Sequence, residues 1–369
     1  MNDRIFEKED LSLGLDVPKE KRNLNTTSYD YSVEFLFSLM KEPNAKIILE
    51  VPFQRQFIWK VDRTSQLIES IIMNVPIPPL YFAEEENNKW LVVDGLQRLY
   101  SISTFFQNEF ALCKLEIIKE LENLKYKDLP PKSKSLLNDG MMRVNVIKRD
   151  SHPDIKYDIF MRLNRGSVIL NNQELRNCLY RGSLNALAKK LVSDNKDFLL
   201  ILKLKKPHER FLDVEFIIRF LAFIKNIRKD EEGKYYLEDY KGRLLTYIND
   251  FMQKNQNIDQ GEGEKLAETF NGVIKKVVNV FGVKNAFRDL TGKSTKVNKA
   301  ISDFIVLSFS MINEDILIEK REGIINLLKR LLEEDAKFKK SISQRTSDVE
   351  NVNYRINTWF KELKNVVPF

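Results

Sequence analysis

Residues 90–98 read Trp90-Leu91-Val92-Val93-Asp94-Gly95-Leu96-Gln97-Arg98. An apolar, β-branched run stops at an Asp-Gly corner, and a helical pattern begins at once, with Leu99, Ile102 and Phe106 on one face. The stretch therefore predicts strand, tight turn, helix. Gly95 supplies a backbone conformation that a side chain would oppose, and Asp94 is placed to cap the new helix. The first turn of such a helix offers unpaired N–H groups and a positive dipole end, which suit an anion. Gln97 adds amide donors and Arg98 a planar guanidinium fork matched to phosphate. A corner whose polar residues only cap and solvate is the competing reading.

Outward from this corner, the front of the chain is a series of short strands and helices. Val33 to Met40 predicts a helix and Lys46 to Val51 a strand; Asp62 to Met73 predicts a helix with Asp62 as its cap. Pro76, Pro78 and Pro79 impose an extended approach to a strand at Leu80 to Phe82. Leu112 to Ile118 and Met142 to Ile147 read as further strands, with short helices between them. Asn171 and Glu174 have the spacing of a capping box. From Leu184 to the end a 3.6-residue period dominates, giving seven helices, one of them predicted from Leu237 to Gln253. The organisation expected is a polar arm over 1–25, an α/β domain over 26–150 and a helical domain over 151–369.

The chain has 369 residues, 43% hydrophobic and 31% charged, with a net charge of +7. That composition predicts a folded protein and permits an anionic partner. Two cysteines, Cys113 and Cys178, exclude a disulfide framework and a zinc ribbon. The charged start and the absence of a long apolar run predict a cytoplasmic protein with no membrane partner. Two histidines, His152 and His208, are too few and wrongly placed for a histidine-metal nuclease. Asp194-Asn195-Lys196 has the acid-x-Lys spacing of a metal nuclease but follows a helix, and Gly292-Lys293-Ser294 ends like a phosphate loop but lacks its leading glycine and strand.

Two further stretches collect donors. In Phe53-Gln54-Arg55-Gln56-Phe57-Ile58-Trp59, an extended backbone puts Arg55 on the same face as three aromatic rings, where an arginine needs a partner or a ligand. Arg162, Asn164 and Arg165 gather in a loop with Gly166. These stretches and the corner at Gly95 suit one anion pocket.

In order and spacing these blocks resemble the N-terminal domain of GmrSD-type modification-dependent restriction enzymes, a family related to the ParB and sulfiredoxin superfamily. Phe53-Gln54-Arg55 with Phe57-Ile58-Trp59 is similar to its Gln-Arg-x-aromatic-x-Trp box. Leu67 to Ile71 with Pro76-Ile77-Pro78, Val93 to Leu99, Phe160 to Gly166 and Leu170 to Arg176 are similar to the blocks that follow. The resemblance implies an α+β fold: a small ParB/sulfiredoxin-like mixed sheet with helices in the N-terminal third, then a large all-helical region. It implies a GmrS-like, NTP-binding and NTP-hydrolysing protein of DNA restriction or phage defence. Asp94, Gln97 and Arg98 are then the catalytic candidates, and Arg55, Gly95, Gln97, Arg98, Arg162 and Asn164 the phosphate-binding ones. The cofactor is an NTP, with Mg2+ as its candidate companion; Asp94 and Glu69 are the alternatives for placing a divalent ion or a water. DNA and a separate nuclease subunit are the implied partners, since the His-rich nuclease domain of the family is not among these residues. Leu96 replaces the first glutamine of the family's Asp-Gly-Gln-Gln-Arg motif, which puts hydrolysis in doubt more than binding. A nucleotide-gated DNA clamp with little turnover, and a direct nuclease at the same pocket, are the alternatives.

Overall fold

The computed structural model describes residues 24–41, 43, 45–49, 59–85, 88–151, 155, 159–160, 162, 171–292 and 294–368. They fall into two compact units, divided between Leu179 and Tyr180. Among the described residues no helix is long and apolar enough to cross a membrane.

The first unit is built on a five-stranded mixed sheet. Its strands are β1 (Thr26–Ser32), β2 (Ile47–Ile48), β3 (Leu80–Glu84), β4 (Trp90–Asp94) and β5 (Met141–Ile147), in the order β1-β5-β3-β4-β2. β5 pairs antiparallel with β1 and parallel with β3; β4 pairs antiparallel with β3 and parallel with β2. The α-helices among its described residues include α1 (Val33–Leu39), α2 (Val61–Ile72), α3 (Leu96–Phe106), α4 (Pro131–Asp139) and α5 (Asn172–Leu179). Leu36, Ile68, Phe82, Val92, Ile102 and Val144 meet in one core with no exposed surface, each contributing about 1.5–3 kcal/mol by leaving water. The capping box forms as expected: Glu174 N–H donates to Asn171 Oδ1 at 2.8 Å and Asn171 N–H to Glu174 Oε2 at 2.6 Å.

Two local expectations are corrected, and one strand is added to those read from the sequence. The hydrophobic pattern does not predict β1, because a sheet-edge strand of sequence TTSYDYS carries no run of apolar residues. Asp62 does not cap α2; Lys60 holds that position, and the Asp62 carboxylate accepts from Arg63 N–H at 2.8 Å. Leu112 to Ile118 is not a strand but a loop. Three of its N–H groups go to the buried Glu69 carboxylate, from Glu116 at 3.2 Å, Ile117 at 2.7 Å and Ile118 at 3.0 Å. Glu69 thus holds a loop, which removes it as the alternative to Asp94 for placing an ion or a water.

Glu69 also gives the first unit an acid-sensitive contact. Burial raises the carboxyl's pKa, but the N–H groups of Ile117, Ile118 and Glu116 outweigh it and hold the group below its ordinary 4.5. A depressed folded value means that the stabilisation is complete above 4.5 and is lost as pH falls from there through the folded value. Glu69→Gln is expected to cost about 1–2 kcal/mol at pH 7, as charged hydrogen bonds become neutral ones, and to flatten the acid side of the stability curve. Urea titrations between pH 7 and pH 3 check this; an acid limb unchanged in the variant would contradict it.

The second unit is largely helical. It runs through α6 (Ser183–Asp194), α7 (Lys196–Ile201), α8 (Leu212–Asn226), α9 (Leu244–Lys254), α10 (Gln260–Asn285), α11 (Lys299–Met311), α12 (Glu314–Glu319), α13 (Arg321–Glu334), α14 (Ala336–Ser341) and α15 (Val349–Leu363). Gly282, at φ +69°, breaks α10 near its end. The predicted helix from Leu237 begins only at Leu244; Tyr235–Leu237 instead pairs antiparallel with Ile227–Lys229 as a small hairpin. The nuclease-like Asp194-Asn195-Lys196 is a helix junction, where Asn195 Oδ1 accepts from Phe198 N–H at 2.8 Å and caps α7.

Candidate functional site

The end of β4 and the start of α3 form the corner that the sequence predicts. Gly95 joins them at φ +101°, ψ 9°. A Cβ there would lie 2.2 Å from Leu80 Cδ2, in the core. Both the left-handed backbone and the contact with Leu80 therefore require glycine.

Gly95, not Asp94, is the N-cap of α3, and as a glycine it brings no side chain to cap the helix. This corrects the expected role of Asp94. Its carboxylate turns to Arg98 instead: Asp94 Oδ2 accepts from Arg98 Nη2 at 2.7 Å, one helical turn on. The first turn of α3 also contains no acidic residue. Its N–H groups and dipole end keep the positive character that attracts an anion.

Arg98 is buried, with 9% of its surface exposed. Its Nη1 donates to the Pro78 carbonyl, and its Nη2 to the Pro79 carbonyl at 3.2 Å as well as to Asp94. The proline block before β3 and the Asp-Gly-x-Gln-Arg block after β4 are thus joined by one guanidinium. Burial pushes the Arg98 pKa down and the Asp94 charge pulls it back up; a guanidinium in such a pairing stays charged. Asp94 is the outward member of the pair, its side chain 40% exposed. Among the described residues its Oδ1 accepts no hydrogen bond.

Gln97 ties in a third block. Its Oε1 accepts from Trp59 N–H at 3.2 Å, and the Arg63 guanidinium lies 4.4 Å from the centre of the Trp59 ring. The structure thus brings together Asp94, Gly95, Gln97, Arg98, Trp59 and the carbonyls of Pro78 and Pro79. Arg162 is exposed on the surface of the same unit. Arg55 and Asn164 lie outside the described residues. Sequence reasoning missed the two proline carbonyls and the Trp59 N–H. A signal for the first existed: Pro79 has no N–H, so the extended proline block cannot form a full ladder, and its carbonyls need an outside donor.

Other candidates resolve as local structure. His208 Nδ1 accepts from Arg210 N–H at 3.1 Å, and His208 N–H donates to the buried Asp213 carboxylate at 2.6 Å. His152 and Lys293 lie outside the described residues. Among the described residues no group of three or more His, Cys, Asp or Glu is placed to hold a metal ion. Mg2+, however, commonly takes only one or two protein carboxylates and completes its shell with phosphate oxygens and waters. Asp94, beside the glycine-capped start of α3, fits that limited requirement.

Residues 36–181 match the family described as GmrSD restriction endonuclease, N-terminal domain. The chain carries a domain of that family, and the match contains every residue of the corner described above. No curated protein and no solved structure matches the chain.

Proposed function

We propose that the protein is a GmrS-like, nucleotide-binding component of DNA restriction or phage defence, and that the nucleotide's phosphates sit at the start of α3. The observation that carries this reading is the pairing of a partly exposed, oriented Asp94 with a helix N-terminus whose cap is a glycine-only turn. The helix end supplies N–H groups to phosphate oxygens without side-chain rearrangement. Asp94 supplies a carboxylate for the accompanying Mg2+ or for a water. Arg98 acts through Asp94: buried and bonded to Pro78 and Pro79, it fixes the position of the carboxylate. Mg2+, when bound, neutralises phosphate charge. The restriction context rests on the domain match, and the partners in this reading are DNA and a separate nuclease chain.

A panel of ATP, GTP and CTP, each with and without Mg2+, tests the reading by thermal shift. One nucleotide is expected to raise the melting temperature of the first unit, since a ligand at ~100 times its dissociation constant adds about 2.7 kcal/mol. No shift with any of the three would overturn it. Phosphate release by the same sample then separates a hydrolase from a nucleotide-gated clamp.

A further inference from the structure

The second unit concentrates positive charge in two segments that are far apart in sequence. Between residues 203 and 210 stand Lys203, Lys205, Lys206 and Arg210, against Glu209 alone. Between residues 284 and 296 stand Lys284, Arg288, Lys293 and Lys296, against Asp289 alone. The excess in these two segments is nearly the +7 of the whole chain.

One buried side chain stitches the segments together. Arg288 Nη2 donates to the Ile201 carbonyl at 2.5 Å, Nη1 to those of Val283 at 3.2 Å and Ala286 at 2.9 Å, and Nε to that of Thr295 at 2.9 Å. Ile201, Val283 and Thr295 are each within two positions of Lys203, Lys284 or Lys296, so these lysines emerge around a single guanidinium. Lys203 Nζ reinforces the seam by donating to the Thr295 carbonyl at 3.4 Å. Both acids of the patch are engaged: Glu209 pairs with Lys206 at 3.0 Å, and Asp289 accepts from the N–H and hydroxyl of Thr291. Lys205, Lys284 and Lys296 are exposed and have no carboxylate partner among the described residues. Elsewhere on this unit Lys234, Lys254 and Lys320 each meet an acid.

We infer that this two-loop patch is a docking surface for the phosphate backbone of duplex DNA. Arg288 and the carbonyls it binds hold the loops in place, so little ordering entropy opposes binding. Exposed Thr295 and half-buried Ser294 add hydroxyls of the kind that contact phosphates. A membrane surface fits less well: the aromatic ring of these segments, Phe287, is fully buried, so no aromatic side chain is offered to a bilayer interface. The inference rests on the proposed function only in taking DNA as the partner; the patch belongs to the second unit and the nucleotide corner to the first.

The test uses the full chain, a short labelled DNA duplex and fluorescence anisotropy from about 50 to 200 mM salt. The triple variant Lys205→Ala, Lys284→Ala, Lys296→Ala is compared with the control Lys234→Ala, Lys254→Ala, Lys320→Ala. The patch variant is expected to bind more weakly and to lower the slope of log affinity against log salt by about 2.7, roughly 0.9 for each phosphate that is no longer neutralised. The control is expected to behave as the wild type, and all three proteins to keep one melting temperature. Duplex binding unchanged in the patch variant, or absent from the wild type, overturns the inference. So does tighter binding to phosphatidylserine vesicles than to the duplex. The nucleotide panel, run on the same variants, reports separately: a nucleotide shift without duplex binding removes this surface only, and duplex binding without a nucleotide shift removes only the nucleotide site.

Discussion

Asp303→Ala is expected to lower the unfolding free energy of the second unit by about 3–5 kcal/mol, the usual cost of removing one partner from a buried ionic cluster. Asp303, on α11, is 2% exposed and lies between two buried arginines. Arg219, on α8, meets it in a fork, with Nε to Oδ1 and Nη2 to Oδ2 both at 2.8 Å. Arg355, on α15, reaches Oδ2 with Nη2 at 2.6 Å and donates from Nη1 to the carbonyls of Ser341 at 3.2 Å and Thr346 at 2.7 Å. One carboxylate therefore links three helices, and its loss leaves two buried positive charges facing each other. Those charges, more than the missing hydrogen bonds, set the size of the effect.

A second variant separates the two contributions. Replacing all three groups, as Arg219→Met, Asp303→Leu and Arg355→Met together, removes the charges along with the bonds. It is expected to be less destabilised than Asp303→Ala, because no charge is left unpaired in the core and the sites are too close for additive behaviour. Urea unfolding of both proteins decides the matter. A triple variant weaker than the single one would mean that the hydrogen bonds dominate.

The cluster was visible in the sequence in one respect. Arg219 lies in Phe216-Ile217-Ile218-Arg219-Phe220-Leu221, Asp303 in Ala300-Ile301-Ser302-Asp303-Phe304-Ile305, and Arg355 among residues that lead to Trp359 and Phe360. A single charge on the apolar face of a helix needs a buried partner. The sequence does not say which helix supplies it, because that depends on how the helices pack. The corner at Gly95 was legible for the opposite reason: its strand, turn and helix are adjacent in sequence, and glycine is the residue that a left-handed turn selects. The role of Asp94 was not, because an Asp before a helix can cap it or reach one turn forward, and the choice depends on Arg98 being pulled down to Pro78 and Pro79. Leu112 to Ile118 failed similarly. Its apolar pattern suits a strand, but a carboxylate 47 residues before Glu116, on Glu69, takes the last three of its N–H groups. The turn of the missed hairpin carried its own signal in Gly233, which sits at φ +77° between two short β-rich runs.

At the corner, Asp94→Asn and Arg98→Ala are expected to fail in different ways. If Arg98 met the phosphates directly, Arg98→Ala would abolish nucleotide binding and leave the fold intact. The geometry gives the opposite pairing. Arg98 is buried and makes three hydrogen bonds within its own unit. Its removal leaves Asp94 without a partner and two carbonyls of the proline block without a donor. The expected loss is about 2–3 kcal/mol of stability, less than for a fully buried pair because water reaches Asp94. Asp94→Asn keeps an oxygen that can accept from Arg98, so the melting temperature falls less than in Arg98→Ala. It removes the negative charge facing the nucleotide's metal, and affinity for the Mg2+-nucleotide is expected to fall at least about tenfold, or 1.4 kcal/mol. Binding of the same nucleotide without Mg2+ should weaken much less or even improve, since an exposed carboxylate repels a bare phosphate. Calorimetric titration with and without Mg2+, beside a melting curve for each protein, reads all these quantities. An Arg98→Ala protein that melts like the wild type but binds no nucleotide would return the phosphate contact to Arg98. An Asp94→Asn protein with unchanged Mg2+-dependent affinity would remove Asp94 from the site.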